Sequence, residues 1–211
     1  MSDSGDSTSV ENPKVLRQVK PRSPRGRGAG SNPANRYETF VSTPFDDGWD
    51  RIDDEAPHLK TTLAVDASRS LVTYNDSPDV PFDRSINPYR GCEHGCIYCY
   101  ARPGHAWLGH SPGLDFESRL YYKPEAVACL RRELAATKYE CAPIAIGGVT
   151  DAYQPVERRL QLTRRILQQL DACRHPVTVV TKSALVERDC DLLAGMAARR
   201  QAQVFVSLTT L

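Results

Sequence analysis

The sequence has almost no excess charge of either sign, no long apolar run and no paired cysteine pattern. Its 27 Lys and Arg and 26 Asp and Glu leave a formal net charge of +1, so no global field draws it to nucleic acid or a membrane. No stretch approaches the ~20 apolar residues that a membrane-spanning helix needs. Residues 1–14 contain no apolar run after their polar start, so we expect no secretory signal.

The cysteines do not suggest a secreted disulfide scaffold either, because there are seven of them, an odd number. Four are scattered singly, and we expect them to be small buried hydrophobic residues: Cys129, Cys141, Cys173 and Cys190. The other three stand close together in RGCEHGCIYCYAR, residues 90–102. We therefore expect a protein of the reducing cytoplasm that has no membrane partner.

Residues 1–60 are rich in Ser, Gly, Pro and charge and show little periodicity, which predicts a disordered N-terminal arm. The charge in this arm is segregated. Seven basic residues with no acid among them lie between Lys14 and Arg36, and FDDGWDRIDDEAP follows with six acids. Such a basic segment is typical of contact with phosphate backbones, so nucleic acid is a candidate partner. The alternative is a solvated tail that folds back on the acidic segment.

Residues 61–211 have the pattern of an α/β domain. We predict strands over 83–91, 143–148, 176–182 and 203–211, and helices over 123–138, 156–174 and 184–200, the last capped by Ser183. Near-continuous apolar strands that alternate with amphipathic helices favour a parallel sheet with helices covering it.

Polar or glycine-rich segments follow each predicted strand. These segments are the cysteine loop, Gly147–Gly148, Thr181–Lys182 and Ser207–Thr209. Because ligands bind at the carboxyl ends of parallel strands, we expect the four segments to meet on one rim of the sheet. Five polar residues follow the glycine pair, and for each a structural role is at least as well supported as a catalytic one: Thr150, Asp151, Tyr153, Gln154 and Glu157.

The cysteine loop has the spacing C-x3-C-x2-C, at Cys92, Cys96 and Cys99. Clustered thiolates select zinc, copper or iron–sulfur centres. A structural zinc site needs four ligands, and His94 or His105 is a candidate for the fourth. A redox dithiol of Cys96 and Cys99 leaves Cys92 unexplained. An iron–sulfur cube held by three thiolates leaves one iron open, and an open position is what coordination of a small molecule requires.

The loop, with Tyr98 just before the last cysteine, resembles the signature of the radical S-adenosylmethionine (SAM) superfamily. NPYRGCEHGCIYCYAR, GGVTDAYQPVE and RGRGAGSNPANRYE resemble in particular the members related to spore photoproduct lyase, described as DNA repair photolyase-like. The resemblance covers about residues 25 to 211 and implies a partial (β/α) barrel, of which about four β/α units are present.

By this resemblance, Cys92, Cys96 and Cys99 ligate a [4Fe-4S] cluster, and S-adenosylmethionine binds its open iron. The remaining implied cofactor contacts are Tyr98 at the adenine, Gly147 and Gly148 at the methionine amine, and Ser207 and Thr209 at the ribose. The implied activity is reductive cleavage of S-adenosylmethionine to a 5′-deoxyadenosyl radical, with electrons from a donor such as flavodoxin or ferredoxin. The catalytic residues stay unknown.

Two departures from the family pattern qualify these expectations. The lyase has a hydrogen-donating cysteine beside the glycine turn, whereas GGVTD has none, and Cys141 lies at the far end of the predicted strand. We therefore do not expect splitting of thymine dimers. The family's barrel has six units, so we expect the chain to be truncated at its C-terminus. The alternatives are a non-catalytic zinc or iron–sulfur module that binds nucleic acid, and an inactive fragment of a radical SAM enzyme.

Overall fold

A computed structural model of the protein describes residues 26–37 and 59–208. The strands are β1 (Thr62–Val65), β2 (Val72–Tyr74), β3 (Arg84–Ile86), β4 (Tyr89–Arg90), β5 (Arg119–Tyr122), β6 (Ile144–Ile146), β7 (Val177–Thr181) and β8 (Ala202–Val206). The α-helices are α1 (Leu114–Ser118), α2 (Ala126–Leu134), α3 (Glu157–Leu160), α4 (Leu162–Ala172) and α5 (Cys190–Ala198). Two 3₁₀ helices cover Arg102–Leu108 and Ala184–Asp189.

The larger sheet has five strands in the order β2-β3-β6-β7-β8. β3, β6, β7 and β8 run parallel to one another, and β2 pairs antiparallel with β3. In the register, Ile146 lies opposite Val179, and Val179 opposite Val204. The protein is thus a mixed α/β protein, as the alternation of apolar strands and amphipathic helices predicts.

The smaller sheet was not predicted from the sequence. It has three strands in the order β1-β5-β4, with β5 parallel to β1 and antiparallel to β4. The predicted strand over 83–91 contributes to both sheets, because it divides into β3 and β4 at Asn87 and Pro88. Proline cannot donate to a strand ladder, which is a physical reason for a break at this point. This division carries the chain from one sheet to the other just before the cysteine loop.

The main core lies between the larger sheet and helices α2, α4 and α5. The helix α4 presents Ile166, Leu167 and Leu170 to it, all fully buried and spaced to lie on one helix face. They pack in the same cluster as Ile144 and Ile146 of β6. Full burial of such a side chain contributes roughly 1.5–3 kcal/mol, so this layer fixes the position of β6 and of the loop that follows it.

The predicted helices occur with shorter bounds. The helix over 156–174 is divided at Gln161, which has a left-handed backbone with φ of 51°. Ser183 caps the next helical segment as predicted, since its Oγ accepts a hydrogen bond from the amide of Leu185 at 3.2 Å. Strand β8 is largely exposed at the edge of the sheet, including the side chain of Phe205.

Two further observations concern the expectations about location and cysteine burial. Within the residues that the structure describes, no helix is long and apolar enough to cross a membrane. The expectation of four buried isolated cysteines is right for Cys129 and wrong for Cys141, Cys173 and Cys190, which are exposed. Cys190 begins α5, Cys173 directly follows α4 and Cys141 lies in the loop before β6, where the local pattern does not determine which face is covered.

Candidate functional site

The cysteine loop leaves strand β4 and turns twice. The amide of Cys92 donates to the carbonyl of Phe116 at 2.9 Å, which fixes the start of the loop. Two tight turns follow, in which the amide of Gly95 donates to Cys92 O at 3.3 Å and the amide of Cys99 to Cys96 O at 3.2 Å. Cys92 is buried, whereas Cys96 and Cys99 are half-buried. The loop therefore presents two thiols near the surface and one inside.

The three cysteines line a cavity of about 240 Å³, which we call the cysteine cavity. Its other lining residues are His94, Tyr98, Tyr100, Gly147, Gly148, Val149, Asp151, Val180, Thr181 and Lys182. The segments after β4, β6 and β7 thus meet at one place, although about 90 residues separate Cys92 from Lys182. This meeting was expected from the rule for carboxyl ends of parallel strands.

Gly147 has a conformation that its position requires. Its φ of +86° lies in the left-handed region, and a Cβ there would lie 2.5 Å from the carbonyl oxygen of Val180. A side chain at this position would therefore force β6 and β7 apart. Gly148 is less restricted, since its nearest contact for an added Cβ is Phe82 at 3.6 Å. Its carbonyl accepts a hydrogen bond from the hydroxyl of Tyr100.

Asp151 joins the loop after β6 to the end of β7. Its Oδ1 accepts from the amide of Tyr153 at 2.8 Å and from Thr181 Oγ1 at 2.7 Å. Its Oδ2 accepts from the amide of Lys182 at 2.7 Å and lies 3.4 Å from His94 Nε2. Burial acts to raise the pKa of Asp151, but the nearby His94 and the hydrogen bonds from Thr181 and the backbone hold it below its usual value. Asp151 is thus an ionised carboxylate whose oxygens are occupied by the chain's own donors.

A buried ion pair supports the loop from the other side. Arg102 donates to the carbonyls of Gly95 at 2.9 Å and Cys96 at 3.0 Å, and its Nη2 pairs with the fully buried Glu117. Glu117 also accepts from the amides of Gly28 at 3.1 Å and Ala29 at 2.7 Å. One carboxylate of α1 therefore holds the cysteine loop and an N-terminal segment together.

That N-terminal segment, residues 26–29, belongs to the range predicted as a disordered arm. Here it lies against the cysteine loop so closely that a Cβ on Gly28 would be 1.8 Å from Gly95 O. Arg27, one of the predicted basic residues, donates to Thr61 Oγ1 at 2.8 Å and is 3.6 Å from Glu93. The acidic segment over 45–57 and most of the basic arm lie outside the described residues.

Two side chains that the sequence did not single out for this purpose, one buried and one half-buried, support the start of the loop. Gln154 is fully buried; its Oε1 accepts from the amide of Glu93 at 2.9 Å and its Nε2 donates to Gly91 O at 3.2 Å. Asn87 Oδ1 accepts from the amide of Val149 at 2.9 Å. No composition signal identifies them, because their role depends on contacts over about 60 residues of sequence.

The protonation of the thiols and their ability to bind a metal depend on the other groups near them. Burial raises the pKa of the Cys92 thiol to about 12, so a thiolate there needs a cation in contact with it. Among the described residues, no three side chains of His, Cys, Asp and Glu form a group that could hold a metal ion as they stand. The two histidines considered as fourth zinc ligands are separated, since His94 lines the cysteine cavity and His105 lines another cavity.

The remaining residues that were predicted to form the site do not all line the cysteine cavity. Tyr98 lies on the rim of the cysteine cavity with 63% of its surface exposed. Ser207 is half-buried; its amide donates to Thr181 O at 2.8 Å, but it is not among the residues that line the cavity. Thr209 lies outside the described residues. Glu157, in the first turn of α3, accepts from Tyr89 and Arg188, so it has structural partners.

Comparison with known proteins finds relatives without a described activity. Two uncharacterized proteins, from Mycobacterium bovis and Mycobacterium tuberculosis, are each 40% identical over 129 residues, 61% of this chain and 38% of the relative. An uncharacterized protein of Methanocaldococcus jannaschii is 36% identical over 107 residues, 51% of this chain and 38% of the relative. No family model and no solved structure matches the chain. The chain therefore spans about 38% of the length of these curated relatives. Related sequences occur in both Mycobacterium and Methanocaldococcus.

Proposed function

We propose that this chain is part of a radical SAM enzyme, whose C-x3-C-x2-C loop binds a [4Fe-4S] cluster and whose cysteine cavity binds S-adenosylmethionine. The observation that carries the proposal is the meeting of Cys92, Cys96 and Cys99 with Gly147–Gly148 in one cavity. These are the two segments in which the sequence most resembles that superfamily. The parallel order β3-β6-β7-β8 supports a partial (β/α) barrel.

The donor set fits such a cluster better than it fits zinc. Three thiols line the cavity, and thiolates suit zinc and iron–sulfur centres alike, so the fourth ligand decides between them. The carboxylate in the cavity, Asp151, accepts three hydrogen bonds from the chain, from the Tyr153 amide, Thr181 Oγ1 and the Lys182 amide. His94 is the nearest candidate for a fourth zinc ligand, and it contacts that same carboxylate at 3.4 Å. A three-thiolate set therefore leaves an open coordination position.

The chemistry that this cluster supplies when bound is one-electron cleavage of S-adenosylmethionine, which gives a 5′-deoxyadenosyl radical. The chain's own residues bind and position. Gly147 and Gly148 let the backbone approach a ligand closely, since they have no Cβ. Tyr98 and Tyr100 stand on the rim, where aromatic rings can cover a flat group. The proposal also includes a flavodoxin or ferredoxin as electron donor and nucleic acid as partner. These two elements concern a protein of the relatives' full length, of which this chain covers only part.

Anaerobic reconstitution with iron and sulfide tests the proposal. We expect about four iron and four sulfide per chain, visible charge-transfer absorbance, and 5′-deoxyadenosine that forms only with a reductant such as dithionite. Serine at position 92, 96 or 99 removes the cluster. Cys141→Ser is the matched control and keeps it, because Cys141 is exposed and does not line the cavity.

Two outcomes separate the alternatives. A colourless protein that holds one tight zinc, lost in His94→Ala, contradicts the proposal and supports the zinc module. A cluster that assembles without cleavage of S-adenosylmethionine, together with activity in a chain extended to the length of its relatives, assigns this chain the role of a fragment. Metal content and product yield distinguish the two outcomes. Circular dichroism checks that the protein is folded in each case.

A further inference from the structure

A second cavity lies beside the cysteine cavity and has a different chemistry. It has a volume of about 300 Å³, and Val149 lines both cavities. Its polar lining residues include Asn87, Arg90, His105 and Lys123. Because Val149 lines both spaces, a molecule in the second cavity would lie close to whatever the cysteine cavity holds.

The charge of the second cavity is positive. Arg90 and Lys123 line it, and no Asp or Glu is among its described lining residues. Asp66 is not among the lining residues; its Oδ2 lies 2.7 Å from Arg90 Nε and 4.0 Å from Lys123 Nζ, so one carboxylate is shared by two cations. The other acid near Lys123, Glu133, accepts from the amides of Leu71 at 2.7 Å and Val72 at 2.8 Å.

The surroundings of Lys123 destabilise its positive charge, and a bound anion would stabilise it. Its Nζ donates to Ser70 O at 3.0 Å, and an ammonium has three donors. Burial lowers the pKa of Lys123 below its usual value, although Asp66 acts in the opposite direction. A negatively charged group in the cavity would offset this cost, whereas a cationic ligand would increase it.

His105 is the second, independent observation. It is buried at 2% exposure and lines the cavity, and its Nε2 has no hydrogen-bond partner among the described residues. Burial and the neighbouring His110 lower the pKa of His105 to about 4, so the ring is neutral near pH 7. A buried polar atom without a partner costs roughly 1–3 kcal/mol. Nε2 is itself shielded from solvent, so a ligand oxygen or nitrogen in the cavity would satisfy it once the imidazole turns toward the cavity.

The rest of the cavity suits an aromatic ring. Phe116 is buried in its wall, and Trp107 stands at the surface with 72% exposure. The ring of Tyr37 packs against Trp107 with a centroid distance of 4.8 Å and a tilt of 35° between the ring planes, so aromatic surface is available beside the cavity. A volume of about 300 Å³ is at the lower end of small-molecule sites and admits a ligand of one ring.

We propose that the second cavity binds a small aromatic anion, a ring with a carboxylate or phosphate group, through Lys123, His105 and the face of Trp107. The inference rests on the proposed function in one respect only, which is that such an anion is the class of substrate on which the proposed enzyme acts. Binding itself needs no cluster.

The test is a titration of the full chain followed by the fluorescence of Trp107, with Trp49→Phe removing the second tryptophan. The probes are phenyl phosphate, benzoate and the neutral benzamide. We expect saturable binding of the two anions, at least tenfold weaker binding of benzamide, and at least tenfold weaker binding of both anions in Lys123→Gln. Lys123→Arg keeps the charge and retains most of the affinity, and Lys138→Gln, at an exposed position, changes nothing.

Several outcomes overturn the inference. Equal binding of benzamide and benzoate excludes recognition of the anion. Loss of binding in Lys182→Gln, with Lys123→Gln unaffected, assigns the anion to the cysteine cavity. An unchanged affinity in His105→Phe removes His105 from the site. The titration is repeated before and after reconstitution with iron and sulfide. Anion binding in a chain that assembles no cluster on reconstitution contradicts the proposed function alone, and a cluster that assembles in a chain without anion binding contradicts this inference alone.

Discussion

Asp151 Oδ1 accepts a hydrogen bond from Thr181 Oγ1 at 2.7 Å, and this contact joins the loop after β6 to the last residue of β7. The same carboxylate accepts from the amide of Lys182 at 2.7 Å. The part of the cysteine cavity that Thr181 and Lys182 line therefore depends on one side-chain carboxylate.

Replacing Asp151 with Asn should separate these two strand ends. The amide has one acceptor oxygen instead of two, so at least one of the buried donors loses its partner, at a cost of about 2 kcal/mol in the free energy of unfolding. Urea unfolding measures this. Asp191→Asn is the control, because Asp191 is exposed and pairs with Arg164 at the surface, and it should have a much smaller effect. Equal losses in the two variants would contradict the prediction.

Gly147→Ala should destabilise the fold by roughly 1–3 kcal/mol, since alanine is strained at φ of +86° and its Cβ would lie 2.5 Å from Val180 O. Gly148→Ala is the matched neighbour. Its added Cβ meets Phe82 at an ordinary contact distance of 3.6 Å, so its melting temperature should be nearly that of the wild type. Thermal unfolding followed by circular dichroism compares the two. The prediction fails if position 148 is the more sensitive one.

Gln154→Leu should weaken metal binding by the cysteine loop without touching a cysteine. Leucine leaves the amide of Glu93 and the carbonyl of Gly91 without their present partner, on both sides of Cys92. We expect roughly 10–100-fold weaker binding, the range found when groups that orient metal ligands are removed. Competition with a chelator for iron or zinc measures it. Gln168→Leu, at an exposed position of α4, is the control and should bind as the wild type does.

Glu117→Gln should cost about 3–5 kcal/mol, because it leaves the nearly buried guanidinium of Arg102 without its charge partner. Urea unfolding near pH 7 measures the loss. Glu125→Gln, at an exposed position before α2, should leave the stability within about 0.5 kcal/mol of the wild type.

Glu117 also gives the wild type a pH dependence with a definite sign. Burial acts to raise the pKa of Glu117, but the hydrogen bonds from Arg102, Gly28 and Ala29 hold it below the usual value of 4.5. A carboxyl with a lowered folded pKa stabilises the protein above its unfolded pKa, and this stability is lost as the pH falls through the folded pKa. The free energy of unfolding should therefore decrease on acidification below about pH 4.5. The decrease should be smaller in Glu117→Gln, and an unchanged slope in that variant would exclude this role.

The sequence alone determined the local features of this protein. The spacing of Cys92, Cys96 and Cys99, the apolar strands β6 and β7 and the cap at Ser183 are all set by neighbouring residues, through thiol chemistry, burial and a short hydrogen bond. Because parallel strands end on one edge, the order of elements also predicted that Gly147 and Thr181 would lie near the thiols.

Only the tertiary structure decided which side chains, distant in the sequence, support the cysteine loop and which line the second cavity instead of the cysteine cavity. Glu117 binds the amides of Gly28 and Ala29 across 89 and 88 residues of sequence, so no local pattern identifies it. The break at Asn87 and Pro88 directs the chain into a second sheet, and the helix that follows the cysteine loop carries His105 away from the thiols into another cavity. Contacts of this kind depend on how β-sheets and helices pack against each other, and that packing is a property of the whole chain.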